Sequence, residues 1–366
     1  KFAKETNTPV ILIVNAKGMS LSVLAQIKGF LDYQKDSKIK GVILNQTSEM
    51  TCRMLAPKIE SELGLCVFGY VPKMADWHLE SRHLGLVLPD EIKDLREQMR
   101  HLADILEKTL DIEGILQMAE NAKELEGDMP KSLKQFFADT HVQKIRTQKP
   151  QISVAKDEAF CFLYEDNLKL LEELGAELTF FSPLHDEKVP ENMDGLFLPG
   201  GYPELFAAEL SRNREMLASI RICAKKGIPI LSECGGFMYL HQEMQDMEGK
   251  TYPMAGVINA AAYRTEKLGR FGYITLDLNK GQAEEGNMWQ QGFPVRAHEF
   301  HYFDSTAPGN ACLAKKPAGK RSWNCSYVKD GSLMGFPHLY YYSNPMFALR
   351  FLENCMTKKL EREKAS

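Results

Sequence analysis

The amino-acid sequence predicts an α/β protein made of two successive units, each built on a parallel sheet. Three observations point there. Short apolar runs alternate with helically spaced segments over residues 9–71, the rhythm of a parallel α/β sheet. The same rhythm restarts at Ile152, after a stretch rich in Lys, Glu and Gln. In the second unit a buried strand runs straight into Glu233-Cys234-Gly235-Gly236 and then a helix, a strand–tight turn–helix pattern that exposes a nucleophile at a sheet edge.

Taken in order, residues 9–14 (Pro-Val-Ile-Leu-Ile-Val) read as a strand buried on both faces, ending at Asn15. Ser20 to Tyr33 has helical spacing, Ile39 to Leu44 is a second strand ending at Asn45, and Met50 to Leu63 is a helix. A third strand, Cys66 to Val71, runs into Pro72-Lys73. Ligands of parallel sheets sit at the carboxyl ends of the strands, so Asn15, Asn45 and Lys73 are candidate site residues. Residues 90–125 are charged and helical, with a stripe of Leu95, Met99, Leu102, Leu106, Leu110 and Ile115 that predicts a core-facing side. Residues 121–150 read as a linker with one short helix, between breakers Pro130 and Pro150. Beyond it, strands are predicted at 152–155, 178–181, 195–199 and 228–231, with helices at 167–174 and 213–226. After Tyr252 the pattern turns to Gly-punctuated β structure, with a strand near 325–328 and a closing helix over 345–357.

Composition limits the function classes. The 366 residues suit two or three domains whose cores need no staples. The net charge of −4 argues against a protein that coats nucleic acid. No apolar run approaches the roughly 18 residues of a membrane span, and none of the eight cysteines falls in C-x-x-C spacing, so neither a disulfide framework nor a zinc site is expected. The expectation is a cytoplasmic chain whose partners are small molecules, not nucleic acid or membrane. The chain opens at Lys1 with a strand starting by Pro9, and its start is expected to be cut.

The chemistry centres on Cys234. Small residues around it permit a strained turn, and the helix beyond is expected to lower the thiol pKa and to offer backbone N–H groups to an oxyanion. Leu198-Pro-Gly-Gly-Tyr-Pro-Glu204 also follows a strand, so Gly200 and Gly201 are placed with Gly235 as candidate oxyanion-hole residues. Among nine histidines, His338 lies on a late aromatic segment. Arg296-Ala-His-Glu-Phe-His-Tyr302 lacks the i, i+4 geometry of a helical metal site, and Arg296, His298 and His301 are expected to form one anionic-ligand pocket. No metal ligands are assigned.

Six ordered segments, 157–167, 180–186, 198–204, 233–240, 297–302 and 338–345, resemble the cobyrinate a,c-diamide synthases among the cobalamin-pathway class I glutamine amidotransferases. Asn-Ala-Lys-Gly-Met (15–19), Gly-Val-Ile-Leu-Asn (41–45), Gly-Tyr-Val-Pro-Lys (69–73) and Arg-His-Leu-Gly-Leu (82–86) are similar to the second half of the family's ATP-binding domain. The resemblance implies the back half of a P-loop-type, dethiobiotin-synthetase-like domain over 1–88. A helical segment and linker would follow over 89–150, and a flavodoxin-like amidotransferase domain over 151–366. It implies that Cys234 attacks the glutamine amide with His338 as base, without a nearby triad carboxylate, and releases ammonia. ATP with Mg²⁺ would activate the c- and then the a-acetate of cobyrinate. Asn45 fits adenine recognition, with Lys73 as a second nucleotide-binding residue. Tyr164 and Asn167 lie in a shared motif and are grouped with the substrate-binding candidates. The family's phosphate loop does not occur in the sequence, and Tyr340 replaces a second histidine. Close relatives amidate nickel-sirohydrochlorin or hydrogenobyrinate, and a glutaminase or binding subunit without its own ATP site is the further alternative.

Overall fold

A computed structural model describes residues 2–34, 36–74, 92, 94–125, 127–278 and 294–365. The chain divides into two units, Lys1–Asp128 and Met129–Ser366. The similarity at 82–86 lies outside the described residues.

In the first unit a short helix α1 (Phe2–Glu5) precedes β1 (Val10–Asn15), α2 (Ser22–Tyr33), β2 (Ile39–Asn45), α3 (Glu49–Leu63) and β3 (Cys66–Val71). The three strands form a parallel sheet in the order β1-β2-β3, with Asn15 directly beside Asn45. The bounds of α3 follow from its ends: Ser48 Oγ accepts the Thr51 N–H, and Gly64 closes the helix at φ 65°. Val14, Leu24, Ile27, Val42, Leu44, Leu55 and Ile59 make the core. The sequence reading of β1 as buried on both faces does not hold, because Ile13 is 63% exposed. Among the described residues β1 is an edge strand with a neighbour on one side only.

Residues predicted as one helical segment form α4 (Leu95–Thr109) and α5 (Ile112–Glu120). Their apolar stripe is half-buried: Leu95, Leu102, Leu106, Leu110 and Ile115 are partly covered, Met99 is exposed, and neither helix buries a residue fully.

The second unit takes in residues read from sequence as linker. Helices α6 (Lys131–Ala138) and α7 (Thr140–Gln148) precede β4 (Gln151–Ala155), and Val142 and Ile145 of α7 are buried with Ile152 and Leu171. Two apolar positions three residues apart in a polar stretch were enough to dock that helix.

Then come α8 (Glu165–Glu173), β5 (Glu177–Phe181), β6 (Gly195–Leu198), a 3-10 turn (Pro203–Phe206), α9 (Ala207–Arg212), α10 (Arg214–Lys225), β7 (Ile230–Glu233) and α11 (Gly235–Tyr239). The β-rich part comprises β8 (His241–Gln245), β9 (Thr251–Pro253), β10 (Ile258–Arg264), β11 (Arg270–Leu278), β12 (Val295–His301), β13 (Phe303–Ser305), β14 (Cys312–Lys315), β15 (Ser322–Cys325), β16 (Tyr327–Lys329), β17 (Ser332–Gly335) and β18 (His338–Leu339). Helix α12 (Met346–Ala365) closes the chain.

The main sheet runs β16-β17-β7-β6-β4-β5, parallel throughout except for β16. Taking β4 as first, the parallel strands stand in the order 2-1-3-4-5, the flavodoxin-like order. The chain winds to β5 on one side of β4 and to β6 and β7 on the other, so a crevice opens at the carboxyl ends of β4 and β6. A five-stranded antiparallel sheet, β15-β14-β11-β12-β18, brings residues 295–301 and 338–339 beside that crevice. The four-stranded sheet β13-β10-β8-β9 completes the unit.

Candidate active site

Cys234 caps β7 with φ 45° and ψ −103°, a strained backbone for a residue with a Cβ. Its N–H donates to Gly335 O at 2.9 Å and its carbonyl accepts the Met238 N–H at 3.0 Å, while the Gly236 N–H donates to Pro199 O at 2.9 Å. Glycines are required here by space. A Cβ on Gly236 would stand 2.0 Å from Leu198 O, and one on Gly235 would stand 2.7 Å from Pro203 Cδ and 3.1 Å from Gly201 N. The Gly-Gly loop after β6 is thereby pressed against the start of α11.

The three glycines predicted for an oxyanion hole differ in what they offer. The Tyr202 N–H is spent on Ala159 O, and the carbonyl of Gly200 accepts from Phe162 N–H. Among the described residues the Gly201 amide donates to no backbone carbonyl, the Gly235 amide donates to the Cys234 thiol, and the two glycines are neighbours. Gly200 serves otherwise: a Cβ there would lie 2.2 Å from His338 Cε1, so its lack of a side chain is what admits the imidazole.

His338 is fixed from several directions. Its strand β18 pairs antiparallel with β12, placing His338 opposite His298 and Leu339 opposite Ala297. Asn167, on α8, is 2% exposed. Its Nδ2 donates to Leu339 O at 2.7 Å and its Oδ1 accepts the Tyr341 N–H at 2.9 Å. The ring meets Phe162 edge-on at 6.0 Å. Asn167, grouped from sequence with the substrate-binding candidates, is spent on the backbone that carries the histidine.

Burial sets the protonation. It pushes the Cys234 thiol up, with the nearby carboxyl of Glu204 adding to the effect. This reverses the expectation of a thiolate: α11 has only five residues, all buried, and desolvation outweighs its N-terminus. Burial also holds the His338 imidazole down, to about 3. The resting pair is thus neutral thiol and neutral imidazole.

Three buried carboxyls flank the thiol. Burial raises Glu204 to about 7, Glu233 to about 8 and Glu299 to about 7. The sequence reading missed them, although Glu233 adjoins the cysteine and Glu204 ends the Gly-Gly motif. An acidic residue at a core strand end was the available signal. Glu299 has Arg270 at 3.8 Å.

The pocket predicted from Arg296, His298 and His301 is divided. Alternate residues of a strand point to opposite faces, so Arg296 and His298 share one face and His301 takes the other. His301 stacks on Phe336 at 4.2 Å and its Nδ1–H donates to Phe303 O. Arg296 and His298 line a cavity of about 580 Å³ with Tyr164, Tyr273, His338 and Tyr340. The imidazole of His338 is part of the cavity wall.

The motifs at 157–167 and 180–186 owe part of their pattern to Asp157. Its carboxylate accepts the Ala159 and Phe160 N–H groups on one oxygen, and Ser182 Oγ–H and the Leu184 N–H on the other. In the first unit, Asn45 Oδ1 accepts the Gln46 N–H at 3.0 Å and Lys73 is exposed. Asn45 is the last residue of β2 and Lys73 follows β3 by two residues, so both stand at carboxyl ends of parallel strands. All eight cysteines are free thiols. Among the described residues no group of three or more His, Cys, Asp or Glu side chains is placed to hold a metal ion, and no helix is long and apolar enough to cross a membrane.

Comparison with known proteins agrees with this geometry. Residues 151–336 match the CobB/CobQ-like glutamine amidotransferase domain. A cobyrinate a,c-diamide synthase of Caldanaerobacter subterraneus is 36% identical over 356 residues, 96% of this chain and 75% of that protein. The namesake enzyme of Listeria innocua is 36% identical over 353 residues, 95% of this chain and 75% of its own length. That of Fusobacterium nucleatum is 36% identical over 358 residues, 94% of this chain and 76% of that protein.

Proposed function

The chain belongs to the cobyrinate a,c-diamide synthase family, a family of glutamine-dependent, amide-forming ligases, and we propose that Cys234 frees the ammonia that it uses. The observation that carries this reading is the strained Cys234 at the start of α11, where Gly235 packs against Gly201. On glutamine binding the thiol proton passes to His338 and the sulfur attacks the side-chain amide carbon. The carbonyl oxygen takes the negative charge and is held by the amides of Gly201 and Gly235. The C–N bond then breaks as His338 returns the proton to the leaving nitrogen, giving ammonia and a γ-glutamyl thioester. Water, deprotonated by His338, hydrolyses the thioester to glutamate and restores the thiol.

The neutral resting pair supports this sequence. A thiol that ionises only with substrate in place is shielded from adventitious oxidation, and a neutral imidazole is free to accept the proton. Arg296 in the adjoining cavity, with His298 and Tyr164 beside it, is assigned the α-carboxylate of glutamine.

The acceptor is assigned as cobyrinate, through its c- and a-acetate carboxylates. ATP with Mg²⁺ would supply the carboxylate activation that amide formation needs. Asn45 and Lys73 suit the nucleotide: an amide that can pair with a base edge, and a cation for phosphate.

Two measurements test the reading. Cys234→Ala should lower glutamate release from glutamine by about 10³-fold or more, and persistence of that release would remove the nucleophile assignment. In a full-length protein that carries the family's phosphate loop, with glutamine and ATP supplied, cobyrinate should gain two amides by mass spectrometry. Glutamine consumption with every tetrapyrrole carboxylate left intact would sink the acceptor assignment.

A further inference from the structure

We propose that Glu233 is the positioning residue for His338, holding Nδ1–H so that Nε2 is the nitrogen left for the thiol. The inference deepens the reading above and rests on it. It replaces the expectation of a cysteine–histidine pair with no carboxylate at hand.

The geometry supports it at three points. Glu233 Oε2 lies 3.8 Å from His338 Nδ1, with the two side chains 3% and 9% exposed. The other oxygen, Oε1, accepts the Leu339 N–H at 3.3 Å. One carboxyl therefore hydrogen-bonds the backbone next to the ring and faces the ring itself at ion-pair distance. Glu233 also precedes Cys234 directly, so the strand that aims the nucleophile aims the carboxyl as well. No distant loop has to be brought in.

A merely structural role accounts poorly for this residue. Ile230 and Leu231 earlier on the strand are buried and apolar and Ser232 is a buried hydroxyl, and an apolar side chain at 233 would avoid desolvating a carboxyl. The groups facing it are His338, the Leu339 amide, the Cys234 thiol and the phenols of Tyr341 and Tyr164. Lys and Arg are absent from that set. The one cation formed beside it is the imidazolium that appears when His338 takes the thiol proton. An ionised Glu233 stabilises that imidazolium and fixes the tautomer of the resting ring, as a third member does for other nucleophile–histidine pairs.

Glutaminase kinetics of the full chain across pH 6 to 9.5, for wild type, Glu233→Gln and Glu233→Asp, give the test. Cys234 alkylation by iodoacetamide is followed in parallel. Wild-type kcat should rise with pH through about 8, where Glu233 ionises. Glu233→Gln should lower kcat by about 10²-fold or more, change KM by less than about threefold, and lose that rising limb. Glu233→Asp should recover part of kcat and keep the limb. A Glu233→Gln kcat within threefold of wild type, or profiles that superimpose, would overturn the proposal. If Glu233→Gln fails to fold, wild type and Glu233→Asp still decide: alkylation without an inflection between pH 7 and 9 in either counts against it. A wild type that alkylates with the inflection yet never turns over glutamine would sink the proposed function and leave the Glu233–His338 coupling standing.

Discussion

At the scale of single residues, the two adjacent glycines after β6 look interchangeable in sequence and are not so in space. A Cβ on Gly200 would run into the His338 ring, whereas a Cβ on Gly201 would run into the backbone carbonyl of Ala159 at 2.0 Å. A ring can swing aside; the Ala159 carbonyl sits in a bend held by the Asp157 carboxylate and by the Tyr202 N–H, and moves only with that bend. Gly200→Ala should therefore leave thermal stability within a few degrees of wild type while lowering glutaminase kcat by about 10²-fold, the loss typical of a catalytic group shifted by about 1 Å. Gly201→Ala should chiefly lower the melting temperature. Calorimetry and steady-state kinetics on both variants check the pair, and equal losses of stability in the two would contradict it.

At the scale of elements, the placing of His338 depends on a two-residue strand that is too short to be held by its ladder alone. Asn167 supplies the missing constraint, bridging Leu339 O and Tyr341 N–H from α8. Asn167→Ala removes the partners of two buried backbone groups, at about 1–3 kcal/mol for each group left unpaired. It should lower the melting temperature by several degrees and lower kcat for glutamine more than KM. Asn167→Asp keeps the acceptor for Tyr341 and loses the donor to Leu339, so it should fall between. A variant with wild-type stability and kcat would show that β18 stands without the clamp. The contrast also shows what could be read in advance. The strands and the elbow were legible because their signals are local: an apolar run and a Gly-Gly step. The clamp and the Glu233 contact join residues 172 and 105 positions apart, and no spacing rule reaches that far. The split of Arg296 and His298 from His301 was in principle readable, since positions three apart on a strand face opposite ways. The burial of α7 was not, because two apolar residues in a charged stretch fit a solvated helix equally well.

At the scale of the whole molecule, the buried titratable groups of the second unit imply an unusual pH dependence of stability. His241, His301 and His338 are held down by burial to about 4, 4 and 3, below the ordinary value near 6.5. The folded state then binds fewer protons than the unfolded chain between about pH 4 and 6.5, so stability rises with pH across that window. Glu204, Glu233 and Glu299 are raised to about 7, 8 and 7, above an unfolded value near 4.3. For them the folded state binds more protons between about pH 4.3 and 8, and stability falls as pH rises. Three groups of each kind nearly cancel between about pH 4.5 and 6.5. Above that the carboxyls act alone, and below it the histidines do. The thermal midpoint of this unit should be flat across mildly acid pH and decline from about pH 6.5 to 8, on the alkaline side of the usual plateau. Glu299→Gln should shallow that decline, since it removes one ionising carboxyl without adding charge. Scanning calorimetry from pH 4 to 9 at constant ionic strength measures it, and a midpoint that climbs steadily from pH 5.5 to 8 would mean that these carboxyls are ionised at no cost in the fold. The chemistry sharpens the tension, because ionised Glu233 is the form proposed to hold His338. Activity should therefore increase over the same interval in which stability declines.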